Sequence, residues 1–200
     1  MKSAATPRPA PRGAPRAARH EVRIIGGQWR RSLLPVADKP GLRPTPDRVR
    51  ETLFNWLGHE LDGWRVLDAF AGSGALGFEA ASRGAAQVLL LERDPGLVKS
   101  LRQSQERLKL TTLRVDTAEA VAWMSRCPRA SYELVLLDPP FDAGLLPAAL
   151  VAAAPLVVEG GFVYVEGPAA LTADDTPPGL TPWRQGRAGA VFYHLLQRNS

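Results

Sequence analysis

From about residue 64 onward, two patterns of apolar positions alternate along the chain. Runs that are apolar at every position, such as Val88–Leu91 and Leu134–Leu137, are typical of strands buried on both faces. Intervening segments such as Pro95–Lys109 carry apolar residues at helical spacing. This alternation predicts an α/β fold with a mostly parallel sheet. Gly160–Gly161 predict a late start for one strand, and residues 183–196 predict a closing antiparallel hairpin.

A smaller unit is predicted ahead of this repeat. Two short apolar runs flank Gly26–Gly27 and predict a β-hairpin over residues 22–36. Thr45 and Pro46 are typical of a helix start, with Thr45 capping the free amides and Pro46 at the first helical position. We therefore divide the chain into a tail over residues 1–21, an extension over 22–59 and a main domain over 60–200.

Positive charge is concentrated at the start of the chain. The first 20 residues hold five basic side chains, four prolines and no acid, and the other 180 residues balance at 20 basic and 20 acidic. Such a segment buries too little apolar surface to offset its ordering entropy, so we expect it to be disordered. It is either a cationic arm with salt-sensitive affinity for phosphates or a dispensable extension.

Composition also limits the compartment and the chemistry. No apolar run reaches the roughly 18 residues of a membrane span. The single cysteine, Cys127, excludes an internal disulfide and a Cys-based zinc cluster. We expect a cytoplasmic monomer without a metal site.

A glycine-rich turn follows the first strand of the main domain. Gly72, Gly74 and Gly77 fit G-x-G-x-x-G, and Glu92 follows at the spacing of a ribose-binding acid. The pattern suits a dinucleotide or S-adenosylmethionine. Asp68 would repel a pyrophosphate but attract a sulfonium and an ammonium, and no Arg or Lys lies in the turn.

We therefore expect S-adenosylmethionine, with a nicotinamide-dependent oxidoreductase as the alternative. In an open α/β sheet the ligand lies at the carboxyl ends of the strands. Asp116 either contacts the adenine or caps the next helix. The candidate cofactor-binding residues, all in segments that end the first three strands, are Asp68, Phe70, Ala71, Gly72, Ser73, Gly74, Glu92, Arg93, Asp116, Thr117 and Ala118.

The candidate catalytic residues are Asp138, Pro139, Pro140 and Phe141, directly after an apolar strand. Two successive prolines fix the backbone and remove two amide donors, so the segment presents acceptors. An exocyclic amino group on a base is a poor nucleophile, and acceptors for its N–H bonds favour a reactive geometry. Phe141 offers a face on which the base can stack.

These motifs resemble those of the class I amino-methyltransferases. The segments Arg23–Gly27 and Gly41–Leu57 resemble the RsmD family within that class. The resemblance covers about residues 22–197. The resemblance implies a class I methyltransferase fold with a seven-stranded sheet. It implies methylation of the exocyclic N2 of a guanine in 16S rRNA, within an assembled or nearly assembled small ribosomal subunit. It also implies that Asp138, Pro139 and Phe141 hold the guanine.

Residues 21–50 carry seven basic and three acidic side chains, which suits a surface facing phosphates. Trp29, beside two arginines, is a further candidate for RNA contact. The candidate RNA-contacting residues are Arg23, Arg30, Arg31, Arg43, Thr45 and Arg48.

Two further alternatives stay open. An adenine-N6 or cytosine-N4 DNA methyltransferase would use the same acceptors, although the chain has no room for a target-recognition domain. A non-catalytic RNA-binding module would not need the acceptor residues.

Overall fold

The computed structural model describes residues 21–39 and 44–199, so residues 1–20 of the predicted tail and Arg43 lie outside the described residues, while Glu21, predicted to end the tail, is the first residue of a strand. The strands are β1 (Glu21–Arg23), β2 (Leu33–Pro35), β3 (Arg65–Asp68), β4 (Gln87–Glu92), β5 (Leu113–Thr117), β6 (Tyr132–Leu137), β7 (Val157–Gly167), β8 (Leu180–Ala188) and β9 (Val191–Arg198). The helices are α1 (Asp47–Trp56), α2 (Ala75–Ser82), α3 (Pro95–Leu108), α4 (Ala120–Met124) and α5 (Leu146–Ala153).

Seven strands form one sheet in the order β5-β4-β3-β6-β7-β9-β8. Strands β3 to β7 pair in parallel, while β9 pairs antiparallel with both β7 and β8. The predicted α/β class and the closing hairpin are confirmed. The strand order reverses between β3 and β6, and such a switch point opens a crevice at the carboxyl ends of the strands.

The central strands are apolar at nearly every position because helices cover both faces of the sheet. One apolar cluster joins α1, α2 and α3 to one face, and a second joins α4 and α5 to the other. Leu134–Leu137 of β6 are each 0% exposed, which is the burial that an unbroken apolar run predicts.

The predicted late start of β7 is wrong. The strand is continuous from Val157, and Gly160–Gly161 lie inside it. Pairing with β6 shifts register there, from Tyr132 opposite Val157 to Leu134 opposite Phe162. The glycines accommodate this irregularity, since Gly160 has a φ of 76° and a Cβ on Gly161 would lie 2.8 Å from the Glu133 carbonyl oxygen.

The predicted β-hairpin is present as the antiparallel pair β1 and β2, and it packs with α1 on the outer side of α2. A buried charge network joins these elements. Glu79 of α2 accepts from the amides of Ile25 and Gly26 and forms ion pairs with Arg50 of α1 and with Arg83. Arg50 and Glu79 are both 0% exposed, so their charges depend on each other.

The expected cap of α1 is wrong. The helix begins at Asp47, Pro46 occupies the cap position, and no side chain caps the helix there. The Thr45 hydroxyl donates instead to Glu166 Oε1 at 2.7 Å. The extension is therefore attached to the end of β7 through the residue that was predicted to start its helix.

Within the described residues, no helix is long and apolar enough to cross a membrane.

Candidate active site at the strand ends

Three acidic side chains meet at the switch point of the sheet. Asp68 ends β3, Asp138 follows β6 and Glu166 lies near the end of β7. These are neighbouring parallel strands, with Asp68 paired to Leu136 and Leu137 to Val165. Adjacent strands lie about 4.8 Å apart, so three carboxyl groups share one small volume.

Asp68 is buried and organises the glycine-rich turn from below. Its Oδ2 accepts from the Gly77 amide at 3.0 Å, and a Cβ on Gly77 would lie 2.7 Å from Leu90 Cδ1. Burial raises the pKa of Asp68 to about 7, against the opposing hydrogen bond from the Gly77 amide, and the charge of Glu92 adds to the rise. When Asp68 is ionised, its negative charge lies in a buried environment behind the turn, where water screens it little.

Asp138 and Glu166 form a pair of neighbouring acids beside the extension. Burial, followed by the charges of Glu166 and Asp68, raises the pKa of Asp138 well above its usual value, against a hydrogen bond from the Thr45 side chain. Burial also raises the pKa of Glu166, against hydrogen bonds from Thr45 and Tyr164. Two adjacent buried carboxyl groups resist ionising together, so the pair holds a proton more readily than isolated acids.

The glycine-rich turn has the backbone geometry that a closely held ligand requires. Gly72 and Gly74 have φ values of 52° and 80°, which side-chain-bearing residues rarely adopt. The Gly72 amide donates to Glu92 Oε2 at 3.0 Å, and Glu92 Oε1 accepts from the Asp94 amide at 2.8 Å. Each carboxylate oxygen of Glu92 retains acceptor capacity for a hydroxyl group.

The loop after β5 joins the same edge, because the Ala118 amide donates to the Glu92 carbonyl at 3.1 Å. Asp116 makes a two-point ion pair with Arg114, at 2.7 and 2.8 Å. Glu119, not Asp116, caps α4, so the predicted capping role of Asp116 is wrong. An adenine contact from Asp116 stays a prediction.

The structure therefore brings the candidate cofactor residues together in the three loops that follow β3, β4 and β5 at their carboxyl ends. Phe70, Ser73 and Ala118 are half-buried there, Ala71 is buried, and Arg93 and Thr117 are exposed.

Residues 138–141, which we call the acceptor loop, contribute Pro139, Pro140 and Phe141 to the lining of a cavity of about 820 Å³. Pro139 is buried, Pro140 is exposed and Phe141 is 43% exposed, which leaves the ring accessible to a planar partner. Glu166 lines the same cavity, and its other walls include α5, residues 168–178, Arg129 and Arg198. This cavity, which we call the substrate-side cavity, is large enough for a nucleobase.

The candidate RNA-contacting residues fall into two groups. Thr45 lies at the carboxylate pair, while Arg48 is exposed on α1 and Arg23 forms an ion pair with Asp47 at 3.1 Å. Arg30 and Arg31 are exposed in the turn of the hairpin.

That turn lies at the amino-terminal ends of the parallel strands, opposite the candidate site. The Gln28 amide donates to the Ser82 carbonyl at the end of α2, and Trp29 Nε1 donates to the Leu108 carbonyl at the end of α3, both at 2.7–2.9 Å. Because α2 starts at the glycine-rich turn, its eight residues separate Arg30 and Arg31 from the site by about 12 Å of helix. Trp29 is half-buried against the core, so its indole packs and is not a free stacking surface.

Sequence reasoning missed Glu166, Tyr164 and the Arg50–Glu79 pair. Glu166 carries a usable signal, because it is an acid that ends the apolar run Phe162–Val165 just as Asp138 ends the previous one. The Arg50–Glu79 pair has none, since its partners are 29 residues apart on different helices. Among residues 21–39 and 44–199, no group of acids, histidines and cysteine has the geometry of a metal site.

The sheet order, the switch-point crevice with its glycine-rich turn, and the acceptor loop together define a class I methyltransferase. The chain belongs to the family described as Conserved hypothetical protein 95, the RsmD family, whose model matches residues 22–197.

It is 41% identical to Ribosomal RNA small subunit methyltransferase D of Escherichia coli K12, over 90% of this chain and 91% of that protein. Its identity to the protein of the same name from Haemophilus influenzae is 39%, over 90% and 95% of the two chains. A solved structure of yhhF, a candidate methyltransferase from Escherichia coli, superposes with a TM-score of 0.80 at 40% identity, covering 90% of this chain and 99% of that one.

Proposed function

We propose that this protein transfers a methyl group from S-adenosylmethionine to the exocyclic N2 amino group of a guanine in 16S rRNA. The relatives named for the small-subunit RNA support the proposed substrate, and the acceptor loop and the family resemblance support the proposed reacting atom. The observation that carries the proposal is the position of Asp138–Phe141 at the strand end beside the glycine-rich turn.

The residues at the strand ends fit the proposed methyl donor. S-adenosylmethionine supplies a methyl group already activated by a positively charged sulfur. A cation bound beside Asp68, Glu92 and Asp138 favours their ionised forms, and residues 69–77 contain no cation that would favour a diphosphate. Glu92, held by the amides of Gly72 and Asp94, is fixed in place to accept from ribose hydroxyls.

The acceptor loop suits an amino group as its target. The Asp138 carboxylate and the proline carbonyls accept hydrogen bonds, and the two prolines leave no competing amide donor. Holding both N–H bonds fixes the nitrogen and favours the tetrahedral geometry needed for in-line attack. A target base that starts stacked in RNA must swing out to reach this loop, where Phe141 can stack on it.

The acids at the site also suit the loss of a proton. After methyl transfer the nitrogen carries one proton too many. Burial and mutual repulsion raise the pKa of both Asp138 and Glu166, which makes this pair a better proton acceptor than ordinary carboxylates.

The exposed arginines of the extension favour RNA as the substrate. Arg48 on α1 is exposed a few residues from Thr45, which contacts the carboxylate pair. We propose that Arg23, Arg43 and Arg48 contact phosphates near the target base. Because Arg30 and Arg31 lie at the opposite ends of the parallel strands, any contact they make is with a distant part of a large RNA, as an assembled subunit would offer.

The test uses small ribosomal subunits purified from a strain that lacks this enzyme, incubated with the protein and S-adenosylmethionine labelled in its methyl group. We expect label on N2 of one guanine in 16S rRNA. Label on adenine N6 or cytosine N4, or transfer to DNA in preference to the subunits, would overturn the proposal. Calorimetric titration with S-adenosylhomocysteine and with NAD should show binding of the first alone.

A further inference from the structure

The two carboxylate oxygens of Glu166 differ in the hydrogen bonds that they accept. Oε1 accepts from Thr45 Oγ1 at 2.7 Å and from Tyr164 Oη at 3.0 Å. Within the described residues, no hydrogen bond is formed to Oε2. Since Glu166 also lines the substrate-side cavity, this second oxygen is the acceptor that it offers there.

Glu166 stands next to Asp138 along the edge of the sheet. Leu137 pairs with Val165, so the two acids are the next residues on neighbouring parallel strands. The site therefore presents two carboxyl groups side by side, and Glu166 and Phe141 border the same cavity. A base that donates to both groups favours their ionised forms. Arg129 and Arg198 also line the cavity, but they lie at the opposite ends of the parallel strands.

Two adjacent acceptors suit one base edge better than the others. Guanine presents the N2 amino group beside the N1–H, so its edge carries only donors at these two positions. Adenine and cytosine each present an amino group beside a ring nitrogen that is an acceptor. An acceptor facing that ring nitrogen would be repelled and left without a partner, which is costly in a buried site.

We propose that Glu166 Oε2 accepts the N1–H of the target base while Asp138 accepts from its amino group, so that Glu166 selects guanine. This inference rests on the proposed function, because it assigns the base specificity of the same site. Thr45 and Tyr164 are positioning residues in this account, since their hydroxyls hold Glu166 by its other oxygen.

Because Thr45 and Tyr164 hold Oε1 of Glu166 in place, the variant Glu166→Gln tests the role of the other oxygen. Thr45 and Tyr164 donate to the Oε1 position, so the amide oxygen of glutamine is expected there and its NH2 at the Oε2 position. The variant would then set a donor against the N1–H of guanine in a side chain of unchanged shape. Glu106→Gln, the same change on the exposed face of α3, is the matched control.

The substrates are small subunits reconstituted with 16S rRNA that carries guanine or 2-aminopurine at the methylated position. 2-Aminopurine keeps the reacting amino group, but its N1 is an acceptor. For the wild type and Glu106→Gln we expect kcat/KM to be roughly 100-fold higher on guanine. For Glu166→Gln we expect the preference to vanish or reverse, with S-adenosylhomocysteine affinity unchanged and a cooperative thermal unfolding transition retained.

Retention of the guanine preference by a folded Glu166→Gln protein would overturn the inference. If that variant does not fold, the wild type still decides the matter, because equal methylation of guanine and 2-aminopurine subunits would also overturn it. Failure of the proposed function looks different: the label in wild-type reactions would map to another atom or another base.

Discussion

Asp68→Asn should make the protein more stable at neutral and alkaline pH. The Asp68 carboxyl group is buried and its pKa is raised from an ordinary 3.8 to about 7. Between these two values the folded state binds a proton that the unfolded state releases, so stability falls as pH rises from about 4 to about 7. A difference of about three pKa units corresponds to about 4 kcal/mol, which is fully lost above pH 7.

Asparagine has nearly the same shape, can still accept from the Gly77 amide and never ionises. The stability of Asp68→Asn should therefore equal that of the wild type near pH 4 and exceed it by about 4 kcal/mol at pH 8. The charges of Glu92 and Glu166 raise the pKa of Asp68, and the charge of Asp68 raises that of Asp138, so the gain at pH 8 also includes the relief of Asp138 from this charge.

The assay is urea unfolding at pH 4, 5, 6, 7 and 8, for Asp68→Asn, the wild type and the surface control Glu106→Gln. Glu106 is exposed, so its variant should follow the wild type at every pH. A wild-type free energy of unfolding that does not fall between pH 5 and 8 would refute the reasoning. So would an Asp68→Asn protein no more stable than the wild type at pH 8.

Two further substitutions separate the structural network from the substrate contact. Arg50→Leu should lower the free energy of unfolding in urea by about 3 kcal/mol, because Glu79 stays buried, although Arg83 and two backbone amides still serve it. Exposed Arg48→Leu should change that free energy by less than about 0.5 kcal/mol, and an equal loss in both would contradict the network. Phe141→Ala should lower kcat/KM on small subunits about 10- to 100-fold through lost stacking, with S-adenosylhomocysteine affinity unchanged. Full activity in that variant would exclude Phe141 as a stacking surface.

The sheet was predictable because its buried strands are apolar at consecutive positions. Helices cover both faces of a strand such as Leu134–Leu137, so polar residues are disfavoured at every position. The unbroken apolar run in the sequence therefore predicts the burial of the strand. The glycine-rich turn was predictable for a related reason, since Gly72 and Gly74 adopt φ values that other residues avoid.

The errors arise where tertiary contacts outweigh local preferences. Thr45 has the character of a helix cap, but its hydroxyl donates to Glu166, 121 residues further on. Gly160 and Gly161 predict the boundary of a strand, but the sheet continues through them with a shifted register. A single sequence does not encode either outcome locally.

The candidate site was half predictable. The rule that strand-end acids face the ligand points to Asp68, Glu92, Asp116 and Asp138, and the same rule extended to β7 would point to Glu166. What the rule does not give is the role of each acid. Asp68 supports the turn from inside, whereas Glu166 lines the substrate-side cavity, and this difference depends on burial and hydrogen bonding.

Methyl transfer by Asp138→Ala tests the whole account most directly, because the proposed chemistry requires an acceptor for the amino group at this position. The rate should be measured under single-turnover conditions on small subunits, alongside the affinities for S-adenosylhomocysteine and for the subunits. We predict a fall in rate of about 100- to 1000-fold, with both affinities within about threefold of the wild type. Transfer at the wild-type rate by this variant would contradict the central claim that residue 138 holds the reacting nitrogen.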